Sequence, residues 1–71
     1  MIIIVFDSVH YILKTEKLLK AEKVDYEIIP TPRELSSDCG TVIKIAKNDK
    51  GKVVEILTAN KLNGEFIDWE K

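Results

Sequence analysis

Length, composition and charge are those of a small, ordinary globular protein. The 71 residues are 45% hydrophobic and 32% charged, with 11 basic and 12 acidic side chains and a net charge of -1. This balance supplies no broad positive field for nucleic acid or anionic lipid. The longest apolar run, residues 1–6, is far too short to span a bilayer. We therefore expect one cytoplasmic domain over 1–71, with no nucleic-acid or membrane partner. Because so short a chain buries little surface on folding, a homodimer is an open alternative.

The first half of the chain predicts a strand, a helix and a second strand. The first six residues are apolar and largely β-branched without alternation, which is typical of a strand central in its sheet. A helix is predicted over 9–23, and Asp7 or Ser8 can cap it. Its expected buried stripe consists of Tyr11, Ile12, Thr15, Leu18 and Leu19. The second strand is predicted over 24–29 and ends at Pro30, which cannot continue a hydrogen-bonded ladder.

The second half predicts two more strands and one segment that the pattern leaves ambiguous. Strands are predicted over 41–46 and, after a break at Asn63-Gly64, over 65–69. The pattern over 49–59 fits either a turn followed by a strand or a helix. We favour the helix, because Val53 and Leu57 then share one face.

The order β-α-β-β-α-β predicts an α+β ferredoxin-like sandwich, in which two helices cover one face of a four-stranded antiparallel sheet. Its two halves match in architecture without an evident sequence repeat. In the usual strand order the third strand lies beside the first. The loop over 31–40 should then lie near Asp7, Ser8 and His10, at the start of the first helix.

The single cysteine, Cys39, lies in that polar loop of ten residues. Pro30 and Pro32 stiffen the entry to the loop. Gly40 removes a Cβ at a point where the backbone turns or another molecule approaches. The positive end of a helix dipole favours a thiolate and lowers the pKa of a cysteine. We therefore predict that Cys39 is a reactive surface thiol and the catalytic residue of any chemistry here.

Five further residues are predicted to support the thiol: Ser8, His10, Arg33, Ser36 and Ser37. The two loop serines can donate hydrogen bonds to sulfur or to a bound anion, Arg33 can add a fixed positive charge, and His10 can carry a proton. The alternatives are a surface ion pair between Arg33 and Glu34 and a merely solvated histidine. One cysteine and one histidine cannot close a structural zinc site, and no nucleotide-binding or Cys-x-x-Cys motif is present, so we predict no metal and no cofactor.

Three stretches, 6–10, 21–23 and above all 29–40, resemble a family of short proteins described as "putative selenium/sulfur carriers" (DUF3343). The resemblance implies that Cys39 carries a persulfide or selenopersulfide. It also implies a cysteine desulfurase-type donor and an acceptor enzyme as partners, and a carrier protein rather than a turnover enzyme. Sulfur and selenium are both open as the cargo.

Two rival functions fit the same residues. The domain can be a regulatory module that binds a small molecule or a partner protein, since this fold hosts many such functions, and Cys39 is then incidental. It can also be a redox sensor whose one thiol is glutathionylated or forms a disulfide-linked dimer.

Overall fold

The computed structural model describes residues 1–35 and 40–69. Its strands are β1 (Ile2–Val5), β2 (Tyr26–Pro30), β3 (Thr41–Ile45) and β4 (Glu65–Asp68), and its helices are α1 (Val9–Ala21) and α2 (Lys50–Ala59), the latter preceded by a 3-10 turn at Lys47–Asp49. The strands form one sheet in the order β2-β3-β1-β4, and each neighbouring pair is antiparallel. This arrangement confirms the predicted α+β ferredoxin-like fold.

The ambiguous segment is a helix, as favoured from the apolar face that Val53 and Leu57 share. The placement of β3 beside β1 is also confirmed. The predicted end of the second strand is wrong by one residue, because Pro30 lies inside β2 and pairs with Thr41. In this sheet β2 is an edge strand bonded only to β3. A proline is tolerated there because an edge strand has backbone N–H positions that need no partner in the ladder.

The core lies between the sheet and the two helices. In the central strand β1, Ile2, Ile3 and Ile4 are all 1% exposed or less, as expected for a strand with neighbours on both sides. Fewer side chains of α1 are buried than predicted. Ile12, Thr15 and Leu19 are buried, Leu18 is half-buried, and Tyr11 is 40% exposed. Tyr11 lies at the border of the stripe because each helical residue advances about 100° around the axis.

Helix α1 ends in a Schellman motif, although no glycine occupies its left-handed position. Lys23 adopts the left-handed conformation with φ of 58°. The N–H of Val24 then donates to the carbonyl of Leu19 at 2.9 Å, and the N–H of Lys23 to that of Lys20 at 3.1 Å. Val24 is 7% exposed, so the turn also returns an apolar side chain to the core.

Helix α2 ends in the same way. Lys61 has φ of 56°, and the N–H of the buried Leu62 donates to the carbonyl of Leu57 at 2.9 Å. The two helix ends, residues 19–24 and 57–62, share the pattern Leu-x-Ala-x-Lys followed by Val or Leu.

Candidate functional site

The two connections predicted to form the site, the β1–α1 junction and the β2–β3 loop, lie at one end of the sheet. Strand β1 ends at Val5 and leads into α1, which begins at Val9. The β2–β3 connection begins after Pro30, which pairs with Thr41, and β3 lies next to β1. Because β1 and β2 both run toward this end, the β1–α1 junction and the base of the loop lie at the same end of the sheet. We call it the loop end.

The base of the loop is closed by a backbone bond. The N–H of Thr31 donates to the carbonyl of Gly40 at 3.1 Å, which extends the β2–β3 ladder by one pair. The N–H of Leu35 donates to the carbonyl of Pro32 at 3.0 Å. This second bond makes a four-residue turn whose exposed central residues are Arg33 and Glu34. The turn therefore presents the predicted anion-binding side chain, Arg33, to solvent.

Three of the predicted site residues, Ser36, Ser37 and Cys39, lie outside the described residues. The expected proximity of Cys39 to Asp7, Ser8 and His10 consequently stays a prediction. The structure describes the loop residues on either side of them, 31–35 and Gly40, and the strands β2 and β3 that the loop joins.

Gly40 does not have the conformation that would require a glycine. No glycine among the described residues has a positive φ, and a Cβ at Gly40 would meet nothing within 4 Å. The backbone bends at Gly40 as predicted, but the bend does not need the left-handed conformation. The open space at Gly40 is compatible with the other expectation, the approach of a second molecule.

The start of α1 lacks the side-chain cap that was predicted. Ser8 occupies the N-cap position with extended backbone angles, φ of -150° and ψ of 155°, but its hydroxyl makes no capping hydrogen bond. The first turn also contains no acidic residue. The first N–H groups of a helix have no partner within the helix, and they form a natural site for an anion. Because the Ser8 side chain does not occupy these donors, this end of α1 can accept a negative charge from elsewhere.

His10 lies in the first turn of α1 and is exposed. Its ring contacts that of Tyr11 edge to face, with centroids 6.3 Å apart and planes at 68°. Because both side chains are exposed, the imidazole is accessible to solvent at the loop end.

A cavity of about 710 Å³, not expected from the sequence, opens at the same loop end. Its walls come from the end of β1, the last turns of α2 and the start of β4, and they include Asp7 and Glu65. The only signal in the sequence was the break at Asn63-Gly64, which predicted a turn but not a cavity.

Within the ranges 1–35 and 40–69, no group of three or more His, Cys, Asp or Glu side chains is arranged to hold a metal ion. No helix in that part of the chain has the length and apolar character needed to cross a membrane.

Comparison with known proteins identifies a family. A family model described as "Putative Se/S carrier protein-like" matches residues 1–67. No curated protein and no solved structure matches the chain. The match covers both helices, the first three strands, β4 as far as Ile67 and the whole of the Cys39 loop, and it agrees with the resemblance found in the loop sequence. The chain therefore belongs to the family described as "Putative Se/S carrier protein-like".

Proposed function

We propose that the protein is a cytoplasmic sulfur or selenium carrier whose single domain, 1–71, holds the cargo on Cys39. The observation that carries the proposal is the family match over residues 1–67, which includes the only cysteine of the chain. The cargo arrives from a desulfurase-type donor and leaves to an acceptor enzyme. The protein is a carrier and not a turnover enzyme.

The transfer is one displacement at sulfur. The Cys39 thiolate attacks the terminal sulfur of a persulfide on the donor, and its electron pair forms a new S–S bond. The S–S bond of the donor breaks, and its electron pair leaves on the donor cysteine as a thiolate. Cys39 becomes a persulfide, and no external oxidant or reductant is consumed. Attack by an acceptor thiolate on the terminal sulfur repeats the step and returns Cys39 to a thiolate.

The loop end offers suitable support for this chemistry. The uncapped start of α1 supplies N–H donors and a positive dipole, and Arg33 supplies a charge from the loop itself. Both favour the thiolate over the thiol and stabilise the persulfide anion. Since the chain has no second cysteine, no internal thiol can discharge the persulfide as a disulfide.

The direct test is intact-mass spectrometry after incubation with a cysteine desulfurase and free cysteine. The expected result is an added mass of one sulfur atom, which dithiothreitol removes and which the Cys39→Ser variant does not acquire. A second incubation with an acceptor thiol should restore the original mass. If several desulfurases give no adduct although iodoacetamide alkylates Cys39 readily, the carrier proposal is overturned. A mixed disulfide formed in a separate incubation with oxidised glutathione, with reduced glutathione as the leaving thiolate, would then support the redox sensor.

The supporting role of Arg33 is tested through the pKa of the thiol. We expect Arg33→Gln to raise the apparent pKa of Cys39, measured from the iodoacetamide alkylation rate against pH, because a positive charge that favours the thiolate is lost. Arg33→Lys is the matched control and should retain most of the effect. An identical pH profile in all three proteins would exclude Arg33 from the site.

A further inference from the structure

Two large apolar side chains of α1 are left in solvent near the loop end. Val9 is 59% exposed and Leu13 is 53% exposed, although the same helix buries an apolar stripe in the core. The two residues are four positions apart, so they are neighbours on one face of the helix. Single exposed apolar side chains are common on proteins, whereas contiguous apolar surface with a polar rim is typical of an interaction site.

Two lysines continue this face toward the middle of the helix. Lys17 lies one turn beyond Leu13, and Lys14 lies three residues from Lys17, so these positions are also neighbours. All four side chains are exposed, and the buried residues of α1 lie on the opposite side of the helix. We call the face formed by Val9, Leu13, Lys14 and Lys17 the α1 surface.

The positive charge of the α1 surface is not neutralised by the described part of the chain. Neither Lys14 nor Lys17 forms a salt bridge with a described residue, whereas Lys20 contacts Glu16 at 3.5 Å. The helix contains three lysines and one glutamate, although the whole chain has a net charge of -1. The α1 surface is therefore complementary to an acidic surface on another molecule.

The α1 surface lies at the same end of the domain as the Cys39 loop. Helix α1 begins at the loop end with Val9, and the loop leaves the sheet there through the hydrogen-bonded residues Thr31 and Gly40. No atom lies within 4 Å of the Cβ position at Gly40, so the base of the loop is open on that side. A protein that docks on the α1 surface is thus at the end of the domain where the thiol-bearing loop begins.

Other occupants fit the α1 surface less well than an acidic protein. A second copy related by a twofold axis would bring two basic surfaces together, and like charges repel. A membrane-surface helix buries a whole apolar face among the lipids, but the apolar stripe of α1 is already buried in the core. An acidic protein surface with an apolar centre matches both the two apolar side chains and the two unpaired lysines.

We propose that the α1 surface is the docking site of the sulfur donor, a protein whose apolar contact area is rimmed by carboxylates. Val9 and Leu13 are the apolar anchors, and Lys14 and Lys17 pair with the donor's carboxylates at the rim. The inference rests on the proposed carrier function, because it names the surface through which Cys39 receives its cargo.

Loading kinetics with a cysteine desulfurase and free cysteine test this surface. Intact-mass spectrometry gives the initial rate of persulfide formation on the full chain as a function of the chain's concentration. We expect Leu13→Gln to raise KM about tenfold with little change in kcat, because docking is weakened and the displacement at sulfur is not. Lys14→Glu and Lys17→Glu should each raise KM about threefold at low salt, and high salt should reduce these differences.

Two variants of α2 are the matched controls. Val54→Gln and Lys50→Glu change an exposed valine and an exposed lysine outside the α1 surface, and they should leave KM unchanged. Glutathione persulfide is a second donor that is too small to need a docking surface. The Cys39 thiolate attacks its terminal sulfur and releases glutathione as a thiolate. Leu13→Gln should be loaded from this compound at the wild-type rate, which shows that the variant is folded and its thiol is intact.

The outcomes separate this inference from the carrier function. If several desulfurases load no sulfur onto the wild-type chain, the carrier function fails and the docking site fails with it. If the wild type is loaded and Leu13→Gln, Lys14→Glu and Lys17→Glu all have the wild-type KM, only the docking site is overturned. It is also overturned if the wild type sediments with phosphatidylglycerol vesicles, or as a dimer, and Leu13→Gln abolishes that association, since the α1 surface then has another occupant.

Discussion

Lys52 of α2 donates a hydrogen bond from its ammonium group to the backbone carbonyl of Glu22, 3.2 Å away, across 30 residues of chain. Glu22 is the C-cap of α1, where backbone carbonyls lack partners within the helix and the dipole is negative. The two helices are therefore joined by an electrostatic contact as well as by the core beneath them.

Replacing Lys52 with Met should lower the free energy of unfolding by about 0.5 kcal/mol, because an exposed cation at a helix C-terminus contributes on this scale. Urea denaturation at low salt measures the loss, and high salt should reduce it by screening. Lys50→Met is the control, since Lys50 is the first residue of α2 and has no such carbonyl partner. Equal losses in the two variants would contradict the assignment.

The two left-handed lysines predict stabilising substitutions. Lys23 and Lys61 have φ of 58° and 56°, a conformation that costs a residue with a Cβ about 1–2 kcal/mol. Glycine avoids this cost but loses about 0.5–1 kcal/mol through the entropy of the unfolded chain. Lys23→Gly and Lys61→Gly should therefore each raise the free energy of unfolding by about 0.5–1 kcal/mol.

Thermal and urea denaturation measure these gains. Lys17→Gly is the contrasting variant, since Lys17 is exposed in the middle of α1. It should lower the free energy of unfolding by about 1 kcal/mol. If all three glycine variants were destabilised alike, the left-handed helix ends would be disproved.

Gly64 is required by close packing rather than by its φ. A Cβ at this position would lie 2.7 Å from Cγ2 of Ile4 and 2.9 Å from Cε1 of Phe6, both in the core. Gly64→Ala should therefore lower the free energy of unfolding by about 1–3 kcal/mol through overpacking. Gly51→Ala provides the contrast, because nothing lies within 4 Å of its Cβ position and it is in the first turn of α2. That variant should be more stable by about 0.5–1 kcal/mol, and equal effects of the two would refute the packing argument.

Thr15 is fully buried in α1, and its hydroxyl has no hydrogen-bond partner among the described residues. A buried polar group without a partner costs free energy, and valine has nearly the same shape without the hydroxyl. Thr15→Val should raise the free energy of unfolding by about 1 kcal/mol, as measured by urea denaturation. Thr58→Val, at an exposed position of α2, should change the free energy of unfolding little. A loss of stability in Thr15→Val would show that the hydroxyl is satisfied in solution.

The secondary structure was largely predictable because its causes are local. An apolar β-branched run is typical of a buried strand, and the spacing of Val53 and Leu57 favours a helix over 50–59. The Cys39 loop was also prominent in the sequence, since a lone cysteine among polar residues, prolines and glycine stands out without any structure. These features depend only on residues that are neighbours in the chain.

The remaining features were decided by tertiary contacts. Pro30 lies inside a strand because that strand is at the edge of the sheet, and neither left-handed lysine is marked by a glycine. The wall of the cavity joins Asp7, the end of α2 and Glu65, which are distant in sequence. The sequence by itself determined most of the elements and showed that the one cysteine falls in a polar segment between two strands, because backbone preference and hydrophobic periodicity act over a few residues. Only the packed chain determined which charges face one another, because those distances depend on how the helices lie on the sheet.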